Sequence, residues 1–363
     1  MLKKFLSFLT SLSTLWLLLG VLCQYIPAQH FWPAGFIAMS LPGALVLNIV
    51  LGVFWLLHRP LWALWPALLV VVFWGQHTRY FTLNTPDAAP DPGQQRIKVL
   101  NYNVRVFNSY KHLHKDDPEL PEREIQWVAD HPADILCLQE FYHYSKDKTY
   151  NSRKRIGKEQ GREVFVDKFL INRVGAEFGL AIFSRFPIVD KGRVEFGFPT
   201  KNQVIFVDVK LPNQDTLRVY NMHLESMAIE EKDVAAAVES EEGLKTKGRS
   251  IARRLKGGFI ARSRQVQRLL EHIEACPYPV LLSGDLNDLP SSYTYQQLRR
   301  HLNNAFEAGG SGFGFTYNGK LPLRIDNHFY SDQLELLQFD VLNQIAFTDH
   351  FPVEATYVLK ETE

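Results

Sequence analysis

From Phe5 to Gln76 the only Asp, Glu, Lys or Arg is Arg59, although charged residues make up 22% of the whole sequence. So long an uncharged stretch cannot coat a water-soluble domain, and it marks residues 1–83 as a membrane anchor. Lys3 and Lys4 precede an apolar run from Phe5 to about Ile26, near the ~20 residues that a spanning helix needs. Gly35 to Leu57 forms a second candidate span, with Pro42 tolerable inside a membrane helix. His58-Arg59-Pro60 is a polar break, and Leu61 to Gln76 is a third span, short but rich in the Trp that favours interfaces. A cleaved signal peptide is the alternative for the first run. The length of that run disfavours it, no small-x-small site closes the run, and Leu22 before Cys23 does not fit a lipoprotein site. A buried soluble bundle fits three consecutive runs poorly.

Basic residues set the orientation. Lys3, Lys4 and Arg59 fall on one side, and the loop from Gln24 to Pro33 has no Lys or Arg. The positive-inside rule then puts the N-terminus and the Arg59 turn in the cytoplasm. Three spans leave everything after Gln76 outside, although Arg79 weakly opposes this. The expectation is a multi-pass protein of the cytoplasmic membrane with an extracytoplasmic domain.

Residues 84–96, with Pro86, Pro90, Pro92 and Gly93, read as a linker, and a second domain runs over 97–359. The net charge of +1 gives no global field toward nucleic acid or anionic lipid. Cys23, Cys137 and Cys276 match neither a zinc spacing nor a disulfide framework. No internal repeat is evident.

The second domain alternates apolar strands with amphipathic helices. Strands are expected over Ile97–Val104, Asp134–Glu140, Gly179–Ser184, Val280–Leu282, Arg324–Tyr330 and Thr348–Val353, with a hairpin from Val204–Leu211 and Thr216–Met222. Pro121–His131 and Ile260–Glu274 read as helices, and Gly309–Gly314 as a glycine-rich loop. Mixed strands with helices between them point to packed sheets with helices outside.

Polar groups recur where these strands end: Asn103, Glu140, His223, Asp285 with Asn287, Asp326, and Asp349 with His350. In Leu281-Leu282-Ser283-Gly284-Asp285-Leu286-Asn287, an apolar strand turns at Gly284 and presents Asp285 and Asn287 on one side. One such end is ordinarily a solvated cap or an Asx turn. Several at one sheet edge converge in space. Carboxylates with a carboxamide suit a hard cation such as Mg²⁺, and two His beside several Asp suit acid–base work on a phosphate ester.

The ordered set Asn103-Val104-Arg105, Leu138-Gln139-Glu140, Asn221-Met222-His223, Gly284-Asp285-Leu286-Asn287, Arg324-Ile325-Asp326 and Thr348-Asp349-His350-Phe351-Pro352-Val353 resembles the endonuclease/exonuclease/phosphatase family. The resemblance covers about Ile97 to Leu359. It implies an α/β fold, a four-layer α/β/β/α sandwich with its site at one end of the two sheets, here preceded by transmembrane helices. It also implies a Mg²⁺ cofactor, with Mn²⁺ as the alternative. Glu140 would be the principal metal ligand with Asn103 beside it, and Asp349 would support the metal or its water. Asp326 would orient His350. Either Asp285 or His350 would be the base. Asn287 would donate to the phosphoryl oxygen, and His223 would contact the phosphate or protonate the leaving oxygen.

Two departures stand out. Arg105 replaces an acidic residue of some nucleases in the family, which makes it a substrate-phosphate contact rather than a second metal ligand. His328 stands where the family has an apolar residue and reads as a strand residue outside the chemistry. Residues 225–258 run from acidic to basic, as a solvated helical excursion with self-complementary charge or as a basic flap for phosphate-rich or anionic-lipid substrates.

The expected function is therefore a membrane-anchored, divalent-metal-dependent phosphoesterase. Its partners would be the membrane and a phosphate ester: a lipid headgroup, nucleic acid or small organic phosphate. An extracytoplasmic nuclease is the alternative among enzymes. A catalytically silent binding module is the alternative of another class, disfavoured because it need not keep every polar strand end. No protein partner is inferable.

Overall fold

A computed structural model describes residues 2–84, 95–227, 229 and 231–360. The linker expected over 84–96 therefore lies mostly outside the described residues. The chain forms two compact units: Met1–Thr82 with Met227–Val266 and Asp288–Leu298, and Leu83–Ser226 with Gln267–Asn287 and Arg299–Glu363.

In the first unit, α1 (Leu2–Cys23), α2 (Pro33–Met39), α3 (Leu41–His58) and α4 (Pro60–Val72) follow the apolar runs. Their small polar residues hold the helices together. Trp55 Nε1 donates to Thr10 Oγ1 at 2.9 Å, Trp65 Nε1 to Thr14 Oγ1 at 3.1 Å, and Trp16 Nε1 to Ser40 Oγ at 2.8 Å. The end of α1 lies near the segment after α4, because Gln24 Nε2 donates to Gln76 Oε1 and Arg79 Nη1 to Gln24 Oε1, both at 2.9 Å.

Two boundaries differ from the sequence expectation. The second run breaks at Ser40, since Pro42 lacks the N–H to extend α2 and instead opens α3. The third run stops at Val72, with a separate turn over Trp74–His77. Two helices, Lys4–Cys23 and Leu41–His58, are long and apolar enough to cross a membrane.

The basic half of the 225–258 stretch is helical: Lys245 and Lys247 lie in a turn over Leu244–Gly248, and the rest opens a 26-residue helix, α6 (Arg249–Glu274), which starts eleven residues before the Ile260 start that the sequence implied. Gly257-Gly258 looks like a breaker, yet a Cβ on Gly258 would lie 2.8 Å from Met227 Cγ, so the glycine is there for close packing. Asp233 pairs with Arg254 at 2.7 Å and Lys247 at 3.6 Å, which is the self-complementary reading of this stretch. Lys256 Nζ lies 4.8 Å from the Trp32 ring centre, and buried Arg262 pairs with Asp288 at 2.9 Å.

The second unit is a four-layer α/β/β/α sandwich. One six-stranded sheet has the order β10 (Leu334–Val341), β11 (Val353–Leu359), β1 (Arg96–Asn103), β2 (Ile135–His143), β4 (Glu177–Ser184), β3 (Glu163–Ile171). The other runs from a short edge, Asn303–Asn304, through β9 (Asp326–Tyr330), β8 (Val280–Asp285), β7 (Thr216–His223) and β6 (Gln203–Lys210) to β5 (Ile188–Arg193). Period-2 alternation divides each strand between two layers. Ile97 and Val99 of β1 face the inter-sheet core with Val207, Val219 and Leu281. Leu100 and Tyr102 face outward onto Ile125, Val128 and Ala129, which include the apolar stripe of α5 (Leu120–Asp130). On the other sheet, the C-terminal part of α6 joins Tyr220 through a 2.8 Å contact between Tyr220 Oη and His272 Nδ1.

Candidate active site

Each sheet contains one parallel pair, β1 with β2 and β7 with β8, and every other strand pairing in the two sheets is antiparallel. Parallel partners end at the same edge. The register therefore sets Asn103 opposite Gln139 and His223 opposite Asp285, while antiparallel β9 brings Asp326 opposite Asp285.

Local strain aims the side chains. The β2–β4 ladder slips between Leu138 and Phe141, and Glu140 takes φ 50°. Asn287 sits at φ 52° after Gly284 at φ 146°. A Cβ on Gly284 would lie 2.0 Å from the Met222 carbonyl oxygen, so only glycine fits. Arg105 to Asn108 are four consecutive non-glycine residues at φ 41–52°. Such conformations cost about 1 kcal/mol or more each and concentrate at functional sites.

Several of the residues singled out from sequence come together. His350 Nδ1 lies 2.8 Å from Asp326 Oδ2. Asp285 Oδ2 lies 3.9 Å from His350 Nε2, 3.8 Å from His223 Nε2, and accepts from Asn103 Nδ2 at 3.2 Å. Asn103 Nδ2 also reaches Glu140 Oε1 at 3.3 Å, and its Oδ1 accepts from the Arg105 N–H at 3.1 Å. Asn287 N–H donates to Asp285 Oδ1 at 2.8 Å, and its side chain donates to the Leu224 carbonyl at 3.0 Å. Asp349 and Arg105 face each other at 3.6 Å. His328 is turned into the core, 3.4 Å from Tyr357 Oη, and burial pushes it down to about 3, so it stays neutral.

The electrostatics follow from burial. Asp285 is pushed up, first by burial and then by Asp326, with His350 and His223 opposing. Burial opposes the charging of His350, but the Asp326 charge and hydrogen bond outweigh it and hold the imidazole up at about 10. Oxygen and nitrogen atoms of Asp285, Asp326 and His350 lie within 4.8 Å of one another. Asp326 Oδ1 is buried and accepts no hydrogen bond from the described residues. Half-buried Glu140 and buried Asp285, which share the Asn103 side chain, together with the orphaned oxygen of Asp326, are a hard-donor set that fits a divalent cation.

Sequence reasoning gave no role to the residues behind the site, although Gln139, Asn221 and Thr348 stand in the ordered motifs. Gln139 Nε2 donates to Asn101 Oδ1 at 2.8 Å and Asn221 Oδ1 at 2.5 Å, and Asn221 Nδ2 donates to the Leu138 and Ala181 carbonyls. This amide cluster ties the two sheets together beneath Asn103 and Glu140. Thr348 Oγ1 donates to the Asn103 carbonyl at 3.1 Å and accepts from the His350 N–H at 3.0 Å. Asn108 Nδ2 donates to buried Glu124 at 2.7 Å and to the Phe347 carbonyl at 3.0 Å. The available signal was period: Asn101 and Asn221 stand at inward-facing positions of apolar strands.

Residues 100–350 match the profile of the Endonuclease/Exonuclease/phosphatase family. Residues 3–80 match a second profile, described as a domain of unknown function. No curated protein matches the chain. Among solved structures, an endonuclease/exonuclease/phosphatase family protein from Bacteroides thetaiotaomicron is 17% identical, with TM-score 0.54 over 74% of this chain and 99% of that one. The mannosyl-6-phosphatase of Bacteroides thetaiotaomicron is 20% identical, with TM-score 0.52 over 72% and 100%. The catalytic domain of human Nocturnin, with bound sulfate, is 16% identical, with TM-score 0.50 over 75% and 100%. At these identities the likeness is one of fold.

Proposed function

Because this chain belongs to the endonuclease/exonuclease/phosphatase family, we propose that it is a membrane-anchored, divalent-metal-dependent hydrolase of phosphate esters. The observation that carries the reading is the cluster around Asp285, with His223 and His350 each just under 4 Å away and Asp326 behind His350. A silent binding module has no need of two buried carboxylates beside two imidazoles, an arrangement that is costly to bury.

The residue roles form part of the proposal. Asp326 orients the His350 ring through Nδ1 and keeps it charged, so that its Nε2–H contacts the phosphate. Asp285, pushed upward and within reach of both imidazoles, takes the proton of the attacking water. Asn287 donates to the phosphoryl oxygen as charge builds, and His223 protonates or stabilises the leaving oxygen. Arg105 contacts the substrate phosphate. Glu140 and Asn103 would hold Mg²⁺, or Mn²⁺, with Asp349 supporting it or its water. Such an ion, when bound, supplies Lewis-acid stabilisation of the developing phosphorane charge.

The proposed location is the cytoplasmic membrane, with residues 97–359 on the extracytoplasmic side. Support comes from α1 and α3, both long and apolar enough to cross, and from the hydrogen bonds that return the segment after α4 to the end of α1. The test of activity is a screen of the full chain in detergent against DNA, RNA, phospholipids and phosphomonoesters, with Mg²⁺, Mn²⁺ or chelator. Turnover that chelator abolishes and Asp285→Asn removes is expected. No metal-dependent turnover of any ester would overturn the reading, and a preference for DNA or RNA would move it to an extracytoplasmic nuclease.

A further inference from the structure

A cleft of about 640 Å³, in the size range of small-molecule sites, has Tyr317 and Phe351 in its lining. One wall is the loop after Gly310. Phe313 and Phe315 lie two residues apart on that loop, with parallel rings 5.3 Å apart at an interplanar angle of 3°. They remain 54% and 38% exposed, although phenylalanine is usually buried. Gly314, at φ 59°, lets the loop lie flat on Phe306, where a Cβ would come within 2.2 Å of the ring. The loop is thus packed in place, with a stacked aromatic pair left partly exposed.

The same loop is continuous with the catalytic edge. Tyr317 pairs with His350 as an isolated β-bridge, and their rings meet edge-on at 5.6 Å. The Asn318 N–H donates to the Asp349 carbonyl and the Phe351 N–H to the Thr316 carbonyl, both at 2.7 Å. Thr316 Oγ1 in turn accepts from the Asp326 N–H at 3.0 Å. Tyr317 and Phe351, which line the cleft, are thus the ring partner and the chain neighbour of His350.

We propose that this cleft binds the ring of a phosphorylated sugar or nucleoside, stacking it on Phe313 and Phe315 while Asp340, Asn318 and Asn343 take its hydrogen-bonding edge. The proposal rests on the phosphoesterase reading and narrows it to small, ring-bearing organic phosphates. Three features favour that class. Parallel aromatic faces suit a flat apolar ring face. The polar lining suits hydroxyls or ring nitrogens and would be desolvated without partners by an alkyl chain. Among the described residues lining the cleft, the one charged group is the carboxylate of Asp340, which repels a nucleic-acid backbone.

The test uses the full-length chain in detergent with Phe313→Ala/Phe315→Ala, Asp340→Asn and the conservative Phe313→Trp. Hexose phosphates and nucleoside monophosphates are compared with glycerol phosphate, each also as its methyl diester. The double variant is expected to lose about ten-fold or more in kcat/KM on ring-bearing esters relative to glycerol phosphate, mainly through KM, while Phe313→Trp retains the preference. Comparison of the sugar and nucleoside arms identifies the source of the ring. Equal losses on ring-bearing and ring-free esters, or a parent that prefers glycerol phosphate, would overturn the proposal. Saturation-transfer NMR with methyl glycosides and unphosphorylated nucleosides reads the cleft without turnover. Ring binding that the double variant removes, in a protein that hydrolyses no ester, supports the cleft and refutes the phosphoesterase. Ester hydrolysis with no ring binding refutes the cleft alone.

Discussion

At the scale of single residues, the site is a problem of holding charge out of water. Glu140 sits half-buried at a strained bulge of β2 beside Asn103, where a carboxylate serves a hard cation better than an amide does. Glu140→Gln should lower turnover about 100-fold or more, equivalent to ~2.7 kcal/mol, and shift half-maximal Mg²⁺ upward, as read by metal titration of activity. Asp326 and His350 share a 2.8 Å contact and should act as one unit. Asp326→Asn and His350→Ala should each cost about 10³-fold or more in kcat, with the double variant little worse than His350→Ala alone. Fully additive losses in that cycle would separate their roles. Glu124 makes a different prediction. Burial pushes it well above its ordinary 4.5, with Asn108 opposing, so the fold holds it protonated. A raised carboxyl gives its full stability below the unfolded value and loses it as pH rises toward the folded value. Glu124→Gln keeps an acceptor for Asn108. It should melt above the parent near neutral pH, and the gap should close toward about pH 4 in a thermal melt series. The strand-end acids and imidazoles were legible because each interrupts an apolar run. Glu124 was not, since an acid on an amphipathic helix looks the same in sequence whether it faces solvent or core.

At the scale of elements, two parallel pairs bring the polar ends to one edge, and a single glycine turns the last of them. Gly284→Ala forces a Cβ against the Met222 carbonyl at a left-handed φ. A loss of about 3 kcal/mol or more in stability, with Asp285 and Asn287 displaced, is expected from denaturant unfolding and activity together. Alternation of apolar and polar residues revealed the strands, and the ordered motifs revealed the sandwich. The kink at Glu140 was invisible, because a bulge arises from pairing with β4 and not from the Leu138-Gln139-Glu140 string itself. The contacts among the Asn101, Gln139 and Asn221 amides were equally hidden, since their partners lie on strands distant in sequence. The start of α6 at Arg249 rather than Ile260 was hidden as well, because tertiary packing carries the helix through Gly257-Gly258 despite their weak helix propensity.

At the scale of the molecule, topology decides which esters the site can meet. Lys4 near the start of α1 and Arg59 between α3 and α4 flank apolar helices, and the Gln24–Pro33 loop has neither Lys nor Arg. The proposed order is in, out, in, out. The weak step is α4, whose 13 residues cover only about 20 Å of a hydrocarbon core near ~30 Å. The Trp74–His77 turn lengthens it, and Arg79, hydrogen-bonded to Gln24 and Gln296, gives the segment a polar terminus. A chain that crosses three times meets organic phosphates, lipids or nucleic acid arriving from outside, and never the chromosome. A chain that crosses twice, with α4 lying along the surface, faces the cytoplasm. A reporter active only outside the cytoplasm, fused after Pro92, should be active, and a cytoplasmic reporter at the same joint silent. The reverse pair of results, at equal expression, would put residues 97–359 inside and return chromosomal DNA to the set of candidate substrates.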